Sequence, residues 1–323
     1  MSSKALIFWG LLVCSFFTIS CVHSFAATNN KNHEKSWLTP ELQDAKDASR
    51  LEMRWKNKEY QLPSAAQRNQ IISSIEKILN KLETPDVNIV KQAAKSLKGS
   101  SYRLTEYNDK LGHWLILGPD RTDQAGAGYY VFRLGKLQHE LVLQAPHAIF
   151  DIHTDVITKE IFRSFPIRAA FFSNWQRYGS IGRKPYKNSP YDLAHNPDTL
   201  YQDMTGLWLK RMPQSTFVQL HGFESRVDKK GIHFILSPGT KKQVGPWFPK
   251  LTKTFDASYG EESVAVYPEV RGLGATTNVQ GRLIKNVGGR FLHIEMSEAF
   301  RYKLKKSKKA RLKLGQTIIE GLK

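Results

Sequence analysis

The fold of this chain is decided by a stretch that reads ELVLQAPHAIFD over residues 140–151. It begins with a short apolar run, 141–145, and continues into a turn that carries His147 and Asp151. A run of this length that ends at a proline turn is typical of a strand buried within a sheet. The stretch therefore predicts a central strand with reactive side chains at its carboxyl end.

Similar short apolar runs, separated by glycine-containing and polar turns, lie on both sides of this strand. The further predicted strands are 113–118, 129–134, 169–172, 216–220, 232–236, 263–267 and 290–294. Predicted helices between and after them are 154–165, 197–210 and 308–322. Strands that alternate with helices predict an α/β fold with a mixed, mainly parallel central sheet flanked by helices. We place this domain at residues 102–323.

Residues 27–101 predict an N-terminal helical extension to that domain. Two stretches within it, 64–82 and 87–97, have apolar residues at helical spacing, and Ser64 is a candidate N-cap. Neither stretch concentrates reactive side chains, so we assign the extension no chemistry.

The first 26 residues have the pattern of a secretory signal peptide. Lys4 precedes an apolar run over 5–22, and Ser24-Phe25-Ala26 is a small-x-small cleavage site. The alternatives are an uncleaved membrane anchor and a lipoprotein attached through Cys21, although residues 18–20 lack the leucine usual for lipidation. We expect an exported protein, periplasmic or secreted, with no membrane span once the signal is removed.

The cysteine content excludes some classes of protein, and the net charge favours some classes of partner. Only two cysteines are present, Cys14 and Cys21, and both lie in the leader, which excludes a disulfide scaffold and a cysteine-ligated zinc site. Lys and Arg number 48 against 29 Asp and Glu, a net charge of +19. Outside the cytoplasm this excess favours an anionic cell-wall polymer or an acidic peptide as partner. Nucleic acid is not expected, because no nucleic-acid module is recognisable and the leader exports the chain.

Reactive side chains follow three of the predicted strands, at the point where each strand ends. They are His147 with Asp151, then His221, and last Glu295. Functional groups of α/β sheets collect at the carboxyl ends of strands. Two imidazoles and a carboxylate suit Zn²⁺ with one position left open. Glu295 is then the candidate general base.

The acidic ligand has alternatives, and other polar groups are candidates for substrate binding. Asp155 could replace Asp151 as ligand, since it lies close by in sequence. Asn278 and Arg282, on a polar loop at 274–282, could bind substrate or satisfy a turn, and His195 could line the site. Two further histidines, His233 and His293, are expected to be structural, and His293 is placed on the sheet face opposite the neighbours of Glu295.

These motifs resemble those of the zinc-dependent exopeptidase and amidase superfamily, over roughly residues 128–300. The superfamily includes zinc carboxypeptidases, N-acetylmuramoyl-L-alanine amidases and poly-γ-glutamate hydrolases. The matching elements are 145–147 with Asp151 and Thr154, then 218–223, and then 293–297. The spacing from His147 to the acid is longer than the His-x-x-Glu of carboxypeptidases. It is more similar to the poly-γ-glutamate hydrolases, with Asp for Glu and without their glycine-rich loop.

The resemblance implies a fold, an activity and a site. The fold is phosphorylase/hydrolase-like, one Zn²⁺ is held by His147, Asp151 and His221, and Glu295 acts as base. On the amidase pattern Glu160 is the alternative acidic ligand. The implied activity is hydrolysis of an amide bond, in a peptidoglycan stem or an acidic γ-glutamyl peptide.

Two other classes are weighed against this one. An exported binding protein that keeps the fold and holds cell-wall polymer by its charge would also explain the basic composition. Its densest basic run, 303–311, is equally typical of a solvated helix face. A serine hydrolase is disfavoured because the sequence has no Gly-x-Ser-x-Gly elbow.

Overall fold

The structure is a computed structural model that describes residues 62–109, 112–120, 128–137, 139–179, 189–224, 231–270 and 272–323. The predicted signal peptide, both cysteines and the first part of the predicted helical extension lie outside these ranges.

Nine strands of the described residues form one sheet, in the order β1-β2-β3-β5-β4-β6-β9-β7-β8. They are β1 (Tyr102–Asp109), β2 (Gly112–Pro119), β3 (Tyr129–Arg133), β4 (His139–Ala145), β5 (Ile167–Phe172), β6 (Thr216–Phe223), β7 (Phe234–Ser237), β8 (Val264–Val266) and β9 (Arg290–Ser297). The four central strands, β5-β4-β6-β9, are parallel, whereas β1 to β3 and β7 attach to them antiparallel. The predicted mixed α/β sheet is thereby confirmed.

The register of the central strands brings their carboxyl ends to one edge of the sheet. Leu143 of β4 pairs with Val218 of β6, which in turn pairs with Leu292 of β9. Further along, His221 pairs with Glu295. Near this edge polar side chains lie on the last residues of the strands, His221 on β6 and Glu295 on β9, while His147 follows β4. These side chains therefore meet at the same edge of the sheet.

Eight helices of the described residues cover the sheet on its two faces. They are α1 (Ala65–Leu79), α2 (Val87–Ser96), α3 (Thr154–Ser164), α4 (Leu200–Arg211), α5 (Trp247–Tyr259), α6 (Val279–Asn286), α7 (Glu298–Lys306) and α8 (Lys308–Leu322). Buried side chains of α3, α5, α7 and α8 share one core with the sheet, and those of α1, α2, α4 and α6 share the other. None of the helices in the described ranges is long and apolar enough to cross a bilayer.

The first two helices are built on the cap and spacing that the sequence indicates. Ser64 accepts a hydrogen bond from the backbone of Gln67, whose side chain accepts one from Ser64 in return, which forms a capping box. Ile71 and Ile75, one turn apart, are fully buried and join the core cluster that contains Leu115 of β2. These helices are thus part of the packing of the sheet.

Four elements were absent from the sequence prediction: β1, α5, α6 and α7. Helix α5 has Pro246 at its N-cap position, which provides no side-chain cap, so the usual start signal is missing. Helix α6 occupies part of the polar segment predicted as a loop, with Asn278 as its N-cap. The helix predicted from residue 197 begins later, at Leu200, where Thr199 caps it.

Replacement of a buried isoleucine of α1 tests whether this helix contributes to the stability of the domain. Ile75→Ala should lower the free energy of unfolding by about 2–5 kcal/mol, because it leaves a cavity under a sheet. Val87→Ala is the control, since Val87 is 40% exposed and its loss should change stability by less than about 0.5 kcal/mol. Urea unfolding followed by tryptophan fluorescence measures both; equal losses would contradict a packed α1.

Candidate metal centre

Three of the predicted ligands come together at the carboxyl edge of the sheet. His147 lies in the turn directly after β4, and the backbone N–H of Asp151 donates to the His147 carbonyl at 2.7 Å, which places both side chains in one turn. The Asp151 Oδ2 atom lies 3.0 Å from Nδ1 of His221 and 3.6 Å from Nδ1 of His147. The three side chains are buried, and each offers a ligand atom within 4.8 Å of the others.

The outer face of the His147 ring is held by a carboxylate. Its Nε2 lies 2.8 Å from Oδ1 of Asp192, and the guanidinium of Arg177 contacts the other oxygen, Oδ2. Since a carboxylate only accepts, Nε2 of His147 donates, and the ring in its neutral form presents Nδ1 as a lone pair. That Nδ1 is buried and has no hydrogen-bond partner.

The donor set therefore fits a single zinc ion. An unpartnered imidazole nitrogen, a second imidazole and a carboxylate oxygen converge, and a carboxylate behind a histidine is the support typical of zinc ligands. A second group, His147 with Asp192 and His195, is also close enough to bind an ion. Both Asp192 oxygens are already occupied by Arg177, His147 and His195, so we assign Asp192 to support.

The charges of the cluster are settled by burial and by mutual contact. Burial lowers the pKa of His221 to about 4, so this ring is neutral and free to act as a ligand at pH 7. Burial works to raise the pKa of Asp151, but contacts with His147 and His221 outweigh it and hold that carboxyl ionised. Burial likewise works to lower the pKa of His147, and Asp151 and Asp192 outweigh it and raise the pKa.

Glu295 faces the same cleft with no hydrogen-bond partner on Oε2. Its Oε1 lies 3.6 Å from Nε2 of His293. Burial first, and the Asp151 charge second, raise the pKa of Glu295 well above its usual value. A carboxylate with a raised pKa is a stronger proton acceptor than an ordinary surface glutamate.

His293 lies in the cleft, which corrects the prediction that it lies opposite the neighbours of Glu295. Side chains alternate along a strand, so residues 293 and 295 of β9 share one face. The His293 ring lies 4.5 Å from that of His221, centroid to centroid. Burial, together with the adjacent His221, holds the pKa of His293 well below its usual value, so the ring is neutral.

The alternative acidic ligands, Asp155 and Glu160, lie outside the cluster. Asp155 is buried in the first turn of α3, and burial raises its pKa to about 6. Glu160 forms ion pairs with Lys308 and Arg311 of α8. Of the three candidates, Asp151 alone shares a cluster of potential ligands with His147 and His221.

Of the three predicted substrate-binding residues, two line the cleft and one does not. Asn278 lines the cleft, but its Oδ1 caps α6 at Gly281 and its Nδ2 donates to Gln219 at 2.8 Å. His195 lines the cleft and lies 3.1 Å from Oδ1 of Asp192. Arg282 is not brought to the site: it is exposed on α6 and does not line the cleft. The physical reason is that the segment forms a helix rather than the predicted loop.

The three segments that carry the cluster are joined by the side chain of Arg301, from α7. Its guanidinium donates to the carbonyl oxygens of Ile152 at 3.0 Å, Phe223 at 3.2 Å and Met296 at 2.6 Å. The guanidinium lies directly against Gly222, where an added Cβ would be 2.0 Å from Nη1. Gly222 lies within β6, and its lack of a side chain makes room for Arg301.

The cleft in front of these groups has a volume of about 1,100 Å³. It is lined by the cluster, by Arg177 and Tyr178 from the segment after β5, and by Tyr267, Glu269, Val270 and residues 272–278 before α6. Asp192, Arg177 and Gln219 were not among the site residues predicted from the sequence. The one available signal was the glycine-, proline- and tyrosine-rich composition of segment 177–191, which is typical of a loop.

No protein-family model matches the sequence, and no curated protein does. Matches are found among solved structures. A bacteriophage poly-γ-glutamate hydrolase is 14% identical, with a TM-score of 0.40, over 60% of this chain and 87% of its own. An N-formylglutamate amidohydrolase from Ralstonia eutropha is 15% identical, with a TM-score of 0.34, over 58% and 96%. A metallo-carboxypeptidase from Burkholderia cenocepacia is 11% identical, with a TM-score of 0.34, over 72% and 66%.

The side chains described above, rather than these distant likenesses, carry the function proposed for this chain.

Substitution of the two aspartates separates the assigned ligand from its nearest alternative. Asp151→Asn should abolish tight zinc binding, because it removes the only charged ligand of the cluster, whereas Asp155→Asn should leave zinc binding unchanged. A competition titration with a chromophoric chelator measures both. Loss of zinc from Asp155→Asn alone would overturn the ligand assignment.

Asp155→Asn should also raise stability at neutral pH. A buried carboxyl whose folded pKa, about 6, exceeds its unfolded value destabilises the fold above that pH and not below pH 4. The gain should therefore grow from pH 4 to pH 7 and reach at most roughly 3 kcal/mol. Urea unfolding of both proteins at pH 4, 5, 6 and 7 measures this trend; a gain independent of pH would contradict it.

Substitution of Gly222 tests the contact with Arg301. Gly222→Ala should destabilise the protein by about 1–3 kcal/mol, since the buried guanidinium cannot retreat from three carbonyls. Gly206→Ala is the control, because Gly206 lies in α4 and an added Cβ there meets Leu283 at an ordinary 3.7 Å. That change should stabilise by up to about 1 kcal/mol. A Gly222→Ala protein as stable as wild type would contradict the close contact.

Proposed function

We propose that this protein is an exported, zinc-dependent hydrolase of amide bonds. The observation that carries the proposal is the convergence in one cleft of His147, Asp151 and His221, whose potential ligand atoms lie within 4.8 Å of one another, beside Glu295, whose Oε2 has no hydrogen-bond partner. When bound by these three residues, zinc supplies a Lewis acid that polarises a carbonyl group and lowers the pKa of water.

Residues of the protein transfer the proton and hold the ligands in place. Glu295 accepts a proton as the oxygen of water bonds to the carbonyl carbon, and it returns that proton to the nitrogen as the C–N bond breaks. The products are a carboxylic acid, which releases its proton to solvent, and a free amine. The raised pKa of Glu295, caused by burial and by Asp151, suits it to accept the proton. Asp192, held by Arg177, keeps the His147 ring in the tautomer that offers Nδ1.

The proposed substrate is a peptidoglycan stem or an acidic peptide of γ-glutamyl type. Support comes from the net charge of +19 and from Arg177, a cationic group in the cleft. The guanidinium of Arg177 also lies over the rings of Phe150 and Tyr178, at 5.3 and 5.1 Å from their centroids, so it is held in place. Attraction of an anionic polymer to the basic surface should weaken with salt.

Substitution of Glu295 tests its role as base. Glu295→Gln should keep zinc and abolish turnover, because an amide cannot accept the proton; His221→Ala should lose both zinc and turnover. Glu298→Gln is the control, since Glu298 is exposed at the start of α7. Metal analysis and cleavage of γ-glutamyl peptides are the measurements. Turnover by Glu295→Gln near the wild-type level would show that another group is the base.

The same preparations distinguish the enzyme from a binding protein without catalysis. Zinc in equimolar amount after gentle purification, with cleavage that a chelator abolishes, supports the hydrolase. Metal-free protein that binds cell wall and cleaves nothing would overturn the proposal in favour of the binding protein.

A further inference from the structure

A buried amide lies behind His221, on the side of the ring away from Asp151. The Gln219 Oε1 atom lies 3.0 Å from Nε2 of His221. Residues 219 and 221 are two apart on β6, so both side chains project from the same face of the sheet. Gln219 is fully buried, and its amide nitrogen donates to Oε1 of Gln144 at 2.9 Å and to Oε1 of Gln280 at 3.1 Å.

The orientation of this amide is fixed by two neighbours that are themselves fixed by backbone groups. Gln280 donates to the backbone carbonyl of Leu193 at 2.8 Å, and a carbonyl can only accept. The Oε1 atom of Gln280 is therefore an acceptor, and the nitrogen of Gln219 must face it.

The second neighbour gives the same result from the other side. Asn278 uses Oδ1 to accept the backbone N–H of Gly281, as the N-cap of α6, so its Nδ2 is the donor to Oε1 of Gln219 at 2.8 Å. A reversed Gln219 amide would set two donors against each other at Asn278 and two acceptors against each other at Gln280.

The fixed amide determines which nitrogen of His221 carries the proton. Because Gln219 presents an acceptor oxygen, Nε2 of His221 must be the N–H donor. Nδ1 of the neutral ring is then a bare lone pair, 3.0 Å from the carboxylate of Asp151. Two acceptors at this distance repel each other unless a cation lies between them.

We propose that Gln219 is a positioning residue for the metal centre, which fixes the tautomer and the orientation of His221 so that Nδ1 is offered to the ion. The inference rests on the proposed role of His221 as a ligand. Both imidazoles would then offer Nδ1 to the ion. The group that accepts the Nε2–H differs: it is a carboxylate behind His147 and a neutral amide behind His221.

The tautomer is tested on the wild-type protein, stripped of metal by a chelator. Long-range ¹H–¹⁵N NMR of the histidine side chains, assigned with a His221→Gln spectrum, should show His221 protonated on Nε2 and bare on Nδ1. A His221 ring protonated on Nδ1 would overturn the inference. This measurement needs no Gln219 variant to fold.

The effect on the ion is tested by replacing the amide. Gln219→Leu should weaken zinc binding by about 10–100-fold, as loss of a group that supports a ligand typically does. Thr317→Val is the control: it also removes a buried polar group, but Thr317 lies on α8 and hydrogen-bonds to Ser258 and Lys313, so its zinc affinity should stay within about threefold of wild type. Competition titration of each protein with a chromophoric chelator gives the dissociation constants.

The outcomes separate the two claims. If wild-type protein binds zinc and Gln219→Leu binds it equally tightly, the positioning role is overturned while the proposed function stands. If wild-type protein takes up no zinc, the proposed function fails, and this inference fails with it. A selective loss in Gln219→Leu, together with the Nε2–H tautomer in wild type, supports both.

Discussion

The cleft depends on one buried guanidinium. Arg301 binds the carbonyl oxygens of Ile152, Phe223 and Met296, which belong to the three segments that carry the ligands and the glutamate. The carbonyls of Phe223 and Met296 lie at the carboxyl ends of β6 and β9, and that of Ile152 lies in the turn before α3. A buried carbonyl left without a donor would cost stability. A single cation thus satisfies the backbone and fixes the spacing of the side chains in front of it. The guanidinium fits against the backbone at Gly222 because this residue has no Cβ.

Two carboxyl groups in the same dry cleft acquire opposite properties from their neighbours. Asp151 lies between two imidazoles, which keep it ionised despite burial, whereas Glu295 has only the weak contact with His293 and is driven toward its neutral form. Environments that push two acids apart in pKa are a physical basis for separate roles in one site. Here the ionised Asp151 is suited to contact a cation. Glu295, with its raised pKa, is suited to accept a proton.

The sequence was informative wherever a side chain directly follows a buried strand. His147, Asp151, His221 and Glu295 were predicted for that reason, and the structure places all four in one cleft. Asp192 and Arg177 could not be predicted in this way, because their segment has no periodicity and reaches the site only through the path of a loop. The errors over Arg282 and His293 had signals that were not used: Asn278 is an ordinary helix N-cap, and the alternation of β9 puts residues 293 and 295 on one face. The helix α5, which lacks a capping side chain, offered no such signal.

The parts of the cleft are dispersed along the chain, and this has a consequence for biosynthesis. His147 and Asp151 leave the ribosome long before His221 and Glu295, and Arg301 comes after all of them. Contacts between residues so distant in sequence form late, because their loops must close first. A nascent chain therefore carries only His147 and Asp151 of the cluster until its later strands are made. If the first 26 residues export the chain unfolded, as their pattern predicts, the cluster forms only at the destination, and any ion that it binds is acquired there.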